Sequence, residues 1–482
     1  MSRFVNAAWV ALAALFAAAL GAGSARGAAE FSPPGLYVPA VYRLDNGLRI
    51  VLAPRSGSRS VSIRAVVGLG TQNFPCHEQE TAHFLEHLLF TGTSRHSEEE
   101  LELLITSNGG SWNASTDDWE TVYEIDIFSG NAALGIDTLH EILTDSTLSD
   151  AAIETSREVL GLEAGGAPSA AETLFERSGL FQSASMQAFN RLMSPRSTIC
   201  VPEARADDVS RAEIEEAYRR YYVASNMSLI VVGDFHVAPM RSAIERTFGA
   251  MPAAPRLAPP KGDIPPLPGA LGFTGFDDQP SAGFVFRTGG YLSPEHTALR
   301  VLEVYLDQRL YQVLRVERGL TYGPTVSYDP DVDVGLFWIT AQVESENVAE
   351  TQQLIEDEID RIRDRDVDLD MLEKARAGLL FSYARSFESN AEIADYYVAS
   401  LFELAAHGAF VDEEKRLKSL PVESILAAGA ETFAPSDAVA LHDRRFFFAE
   451  ILAGSALASV AMLAYLPWRI FRRRKARAER DA

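Results

Sequence analysis

Short apolar, β-branched runs alternate with longer stretches of helical period along most of this chain. Leu48 to Pro54 and Val61 to Val67 predict strands. Helical spacing follows over Glu78 to Phe90 and Ser97 to Ser107, and Thr121 to Ile127 alternates like a strand. Ala132 to Thr144, Ala151 to Glu163 and Arg211 to Tyr222 predict helices, and Met227 to Val232 is an apolar strand closing on Gly233-Asp234. The pattern then restarts. Ala282 to Phe286 predicts a strand, Pro294 to Arg315 a long helical region, and Leu336 to Val343 a strand. Val348 to Arg363 and Leu369 to Tyr383 predict helices. The same order in both parts reads as a weak internal duplication. Between them Pro252, Pro255, Pro259, Pro260, Pro265, Pro266 and Pro268 predict an extended, semi-rigid connection. The expected organisation is therefore an α+β chain with domains at 35–250 and 270–440 and a linker at 251–269.

The two ends carry a different pattern. Arg3, the alanine-rich run Ala7 to Ala22 and the small residues up to Ala29 read as a secretory signal peptide at 1–29. Ile451 to Trp468 is uncharged, follows Phe446-Phe447-Phe448, and approaches the ~20 residues a membrane-spanning helix needs. A transmembrane helix is expected at 446–468. The basic tail 469–482, beginning Arg469 and Arg472, would face the cytoplasm by the positive-inside rule. The expected location is a bacterial inner membrane with a single C-terminal anchor and the body in the periplasm.

Composition adds limits. The 482 residues are 47% hydrophobic and 23% charged, which is the balance of a folded protein. A net charge of -24 argues against nucleic acid as a partner. The two cysteines, Cys76 and Cys200, permit at most one internal bridge, and the sequence does not decide whether they pair.

The chemistry concentrates in His83-Phe84-Leu85-Glu86-His87. On a helix, positions i, i+3 and i+4 share one face, so both imidazoles and the carboxylate converge. Two histidines can hold a metal there, and the glutamate can take a proton from an attacking water. An isolated match could equally be a histidine–glutamate pair on a solvated helix face. Phe84, Leu85, Leu88, Leu89 and Phe90 leave this helix little polar surface, which favours a ligand that offsets the cost of burying such groups.

At this point the chain resembles the pitrilysin-type, M16 metallopeptidase family, whose H-x-x-E-H members are inverzincins. Leu44 to Leu52 is similar to the family's opening strand, and Ala82 to Thr93 to its AHFLEH-x-x-F-x-GT core. Gly109-Gly110-Ser111-Trp112-Asn113-Ala114-Ser115-Thr116 is similar to a GG-x-x-NA-x-T signature, and Tyr221 to Phe235 to the end of the first domain. The resemblance covers about Tyr42 to Phe402. It implies two homologous α/β sandwich halves, with two such pairs closing as a clamshell.

The resemblance also implies roles. Glu163 stands at the spacing of the family's third zinc ligand, so His83, His87 and Glu163 would bind Zn2+ with one position open, as catalytic zinc sites do. Arg315 and Tyr322 resemble an R-x6-Y element that would bind substrate and stabilise the developing oxyanion, with Arg318 a competing candidate. Asn113 and Ala114 would lie on an edge strand that pairs with a peptide backbone. The family's second glutamate, seven residues before the ligand glutamate, is here Ser156.

These readings converge on a membrane-anchored zinc metalloendopeptidase with Glu86 as general base, acting on oligopeptides or unfolded segments through a zinc-activated water. One chain offers two of the four quarters, so a homodimer, or a heterodimer with a related chain, is expected. The rival is a non-catalytic partner or scaffold subunit of a membrane-associated complex, favoured only by Ser156.

Overall fold

The apolar runs become the inner strands of two sheets because alternate residues along them pack to opposite sides. The computed structural model describes residues 38–164, 205–255, 269–275, 280–332 and 334–445, with isolated positions 36, 185, 188, 189, 192, 257, 267 and 465. The first sheet is built from β1 (Ala40–Arg43), β2 (Arg49–Pro54), β3 (Ser60–Val67), β4 (Ser111–Thr116), β5 (Thr121–Phe128) and β6 (Met227–Gly233). Its order is β1-β2-β6-β3-β5-β4, with β2 and β6 parallel and every other pair antiparallel. Its helices are α1 (Thr81–Phe90), α2 (Glu98–Thr106), α3 (Ala132–Asp145), α4 (Asp150–Glu163), α5 (Arg211–Tyr221) and α6 (Val237–Phe248). Ser97 and Ser210 open α2 and α5 with capping boxes, and Ser149 caps α4.

The second sheet holds β7 (Ala270–Gly275), β8 (Ser281–Gly289), β9 (Pro324–Pro330), β10 (Val334–Gln342) and β11 (Ala438–Arg445) in the order β7-β11-β8-β10-β9. Only β7 and β11 are parallel. Strand for strand this is β2-β6-β3-β5-β4 again, so the topology is that of a duplicated unit. Its helices are α7 (His296–Leu310), α8 (Val348–Arg363), α9 (Leu369–Arg385), α10 (Asn390–Ala399), α11 (Leu401–His407), α12 (Glu413–Ser419) and α13 (Val422–Thr432).

The halves are interlocked. On β2, Ile50 and Leu52 face the first half's helices, while Val51 and Ala53 face the other way. That second face, with Val66, Ile230 and Val232, is covered by Ile393, Ala394, Tyr397 and Leu401 of α10 and α11. The outer face of the second sheet, with Val285 and Leu336, is in turn packed by Ala188 and Leu192 from the first half. Polar bolts fix the contact. The Asn390 amide donates to Ser60 O and Ser58 Oγ at 2.9 and 3.0 Å. The buried Arg64 binds Asp395 at 2.8 Å.

Among the described residues no helix is long and apolar enough to cross a membrane. This corrects the expected transmembrane helix and the single-anchor inner-membrane location built on it. The helices described pack their apolar residues against the sheets and one another. The segment 446–468 lies outside the described residues apart from Tyr465, as do the expected signal peptide, the basic tail and most of the linker. Cys76 is disulfide-bonded and so not available as a thiolate ligand.

Candidate functional site

Helix α1 is buried on every side but one. Thr81, Ala82, Phe84, Leu85, Leu88 and Leu89 are buried, and the positions left open are His83, Glu86, His87 and Phe90. This i, i+3, i+4, i+7 stripe is the one that the spacing predicts. The cost of burying the polar groups is therefore only partial: the His83 and His87 side chains are 33% and 21% exposed.

Glu163 comes to this stripe from the last position of α4. Its Oε2 lies 3.6 Å from His83 Nε2 and 3.6 Å from His87 Nε2. The imidazoles stand edge to face, with centroids 4.9 Å apart. The three ligand atoms lie within 4.8 Å of one another. The ligand-to-ligand edge of a tetrahedral zinc site with bonds of about 2.0–2.1 Å is about 3.3 Å, so the two nitrogen-to-oxygen separations of 3.6 Å fit such an ion. His83 Nδ1 meets Glu80 Oε2 at 3.2 Å. That contact fixes the tautomer that frees Nε2, and it raises the His83 pKa, against the opposing effect of burial.

Glu86 is held from the other side. Thr116 Oγ1 donates to Glu86 Oε2 at 2.7 Å. Thr116 ends β4, whose pairing to β5 alone leaves its other side as the sheet edge. Along β4 the side chains alternate: Trp112, Ala114 and Thr116 are half-buried, while Asn113 and Ser115 are exposed. Trp112 meets Phe90 edge to face at 4.6 Å. The strand enters through Gly109 at φ +70°, where a Cβ would run into the Phe128 ring, so a glycine at 109 is a conformational need.

Beyond Thr116 a crevice of about 520 Å³ opens between the halves, lined by Asp117, Trp119 and Glu120 on one side and Tyr291, Asp331 and Phe402 on the other. Burial and the neighbouring Asp117 push the Glu120 carboxyl up to about 8.

Arg315 and Tyr322 are brought together. Arg315 lies in a π-helical stretch, Tyr311–Glu317, that continues α7. Its guanidinium sits 5.1 Å from the Tyr322 ring centroid, and it donates to Thr321 O at 3.3 Å. Tyr322 is 88% exposed. Among the described residues neither makes a hydrogen bond or ion pair with His83, Glu86, His87 or Glu163. Arg318 is engaged with Glu350 at 3.5 Å. Ser156 is 3% exposed, and Glu163 lies two helical turns further on.

Reading the sequence missed the partners that hold the site. Thr116 closes the GG-x-x-NA-x-T signature and Glu80 stands one turn before His83, and those were the available signals. A second group, His77, Glu78 and Glu213, also lies within ligand reach. There Glu213 is spent on the α5 capping box and His77 is exposed.

Comparison with known proteins places this geometry. The model of "Insulinase (Peptidase family M16)" matches residues 49–195, which include the triad and Glu86, and "Peptidase M16 inactive domain" matches 208–379. The mitochondrial-processing peptidase subunit beta of Blastocladiella emersonii is 29% identical over 282 residues, covering 57% of this chain and 58% of that protein. The chain spans about half the length of the curated relatives it matches. A protease from Helicobacter pylori superposes with a TM-score of 0.70 at 19% identity, over 84% of this chain and 100% of that one. The periplasmic protease PqqL of Escherichia coli superposes with a TM-score of 0.67 at 19% identity, over 86% of this chain but 49% of that one.

Proposed function

The chain belongs to the M16 peptidase family, and from that premise we propose that it is a zinc metalloendopeptidase acting on oligopeptides or unfolded segments. The observation that carries the reading is the convergence of His83, His87 and Glu163 beside a glutamate held by its own hydrogen-bond donor. His83 Nε2, His87 Nε2 and a Glu163 oxygen would hold the ion. Zinc bound there supplies Lewis acidity and makes water nucleophilic at neutral pH.

The chain's own residues do the remainder. Glu86 takes a proton from the attacking water on its free oxygen and returns it to the leaving amine nitrogen. The open edge of β4, at Asn113 and Ala114, lines up the peptide through backbone hydrogen bonds, which favours extended and unfolded substrates. Arg315 and Tyr322 offer a guanidinium and a phenol to substrate oxygens. Tyr322 is 88% exposed, which fits an arrangement in which a second copy, or a related chain, closes over the site. The superposition on half of PqqL supports such pairing, since that one chain has room for two units of this length.

The test is cleavage of a quenched fluorescent peptide library by the purified chain, beside Glu86→Gln and a chelator control. Activity lost in both controls is the expected result. Stoichiometric zinc without cleavage, alone and with any co-purifying partner, would favour the rival, a non-catalytic subunit.

A further inference from the structure

We propose that Thr116 is a positioning residue that fixes the Glu86 carboxylate, an inference that rests on the peptidase reading above. Glu86 lies on the open stripe of α1, and a free glutamate there would sample several rotamers. One of its oxygens is instead pinned by the Thr116 hydroxyl at 2.7 Å. Oε1 is then the oxygen left to take the proton of the attacking water.

The hydroxyl is well placed to hold this bond. Thr116 points inward by the alternation of β4, and its branched side chain is stiff at χ1. Among the described residues, the one other hydroxyl that bonds to it is that of the buried Thr121, at 3.3 Å. Thr121 directs its own proton to Leu69 O at 2.8 Å. Thr116 therefore chooses between a carboxyl oxygen at 2.7 Å and a hydroxyl oxygen at 3.3 Å, and the shorter bond wins. The donor sits where β4 meets the loop that lines the inter-half crevice. The strand edge that would align the peptide and the residue that would align the base are thus one element.

Two readouts test the proposal. In kinetics, Thr116→Val should lower kcat by about 10- to 100-fold with KM within about twofold, and Thr116→Ser should recover most of the loss. Zinc content should be the same in all three proteins. In thermal unfolding, Thr116→Val should lower the midpoint in the wild-type background but not in a Glu86→Ala background. Equal shifts in both backgrounds, or a kcat insensitive to Thr116→Val, would overturn the proposal. An inactive wild type with intact coupling in the melts would instead sink the peptidase reading, and with it any catalytic sense of the contact.

Discussion

Arg64→Met should loosen the first half from the second. The Arg64 side chain is 1% exposed at the middle of β3. It meets Asp395 of α10 at 2.8 Å, Asp126 at 3.2 Å and Glu124 at 3.6 Å. A single such pair at an effective dielectric near 20 is worth about 4 kcal/mol gross. Burying the guanidinium costs several kcal/mol in return. The three carboxylates are 56%, 38% and 25% exposed, so water takes over part of their solvation once the cation is gone. The net loss should be about 2 kcal/mol, read from urea unfolding as a lower midpoint at unchanged slope. Asp395→Asn should cost about 1 kcal/mol, because Asp126 and Glu124 still hold the cation. The pH dependence gives a second check. Burial already raises the Glu124 pKa, and Arg64 opposes that. Without Arg64 the folded pKa of Glu124 rises further above its unfolded value. The penalty should therefore be small below about pH 4 and grow as pH rises. A mutant as stable as wild type, or a penalty that does not vary with pH, would refute this account of the contact between halves.

Glu86→Gln should keep stoichiometric zinc and lose roughly 10²- to 10⁴-fold in kcat, checked by metal analysis and peptide cleavage. Zinc at a hundredfold excess over its Kd should stabilise the chain by about 2.7 kcal/mol, and His87→Ala should erase the zinc-dependent shift in melting midpoint. Ser156→Glu puts a carboxyl where the side chain is 3% exposed, so it should cost roughly 1–3 kcal/mol; more cleavage with no loss of stability would show that the position opens onto the site. Burial and Glu413 hold Glu403 near 7, above its ordinary 4.5. A raised carboxyl pKa contributes stability below the unfolded value and loses it as pH rises through the folded one, so Glu403→Gln should flatten the decline in stability between about pH 4.5 and 7, read from melts across that range.

How much of this was legible follows from where each signal lies. β2, β3, β5, β6, β8 and β10 are buried strands whose apolar runs announce them. β7, β9 and β11 escape pattern reading because glycines, prolines and charges interrupt them: Ala270–Gly275 carries two glycines, Pro324–Pro330 has a proline at each end, and Ala438–Arg445 ends His-Asp-Arg-Arg. α6 hides behind Pro239 in its first turn. α10 and α11 carry no clear helical periodicity in the sequence. Nothing local marks them as the cover of the first sheet, since that pairing joins positions more than 300 residues apart. In the site, the spacing puts His83, Glu86 and His87 on one helix face, and the apolar residues around them favour a ligand over a solvated pair. Glu163 needed the resemblance, because a glutamate at the end of an ordinary helix carries no local mark. The π-helical turn at Arg315 departs from the 3.6 period on which helix reading rests.

The duplicated topology sets one helix of each half at the same place in the fold. α7 follows β8 as α1 follows β3, and it too is buried along most of its length. Its open positions include Arg300, Glu303, Val304 and Asp307, the same i, i+3, i+4, i+7 stripe as His83, Glu86, His87 and Phe90. The glutamate survives at Glu303, but arginine and valine stand where the histidines would be. Arg300 binds Glu303 at 2.9 Å. A guanidinium keeps its protons and offers no lone pair, so it satisfies the carboxylate internally and bars a cation from the place. The helix also loses its one neutral imidazole to the core: His296 is buried 3.3 Å from Tyr328 Oη, and burial lowers its pKa to about 4. What the two halves share is therefore a packing solution, a helix with one open stripe laid on a twisted sheet. The first half leaves that stripe to His83, Glu86 and His87, and the second closes it with an ion pair.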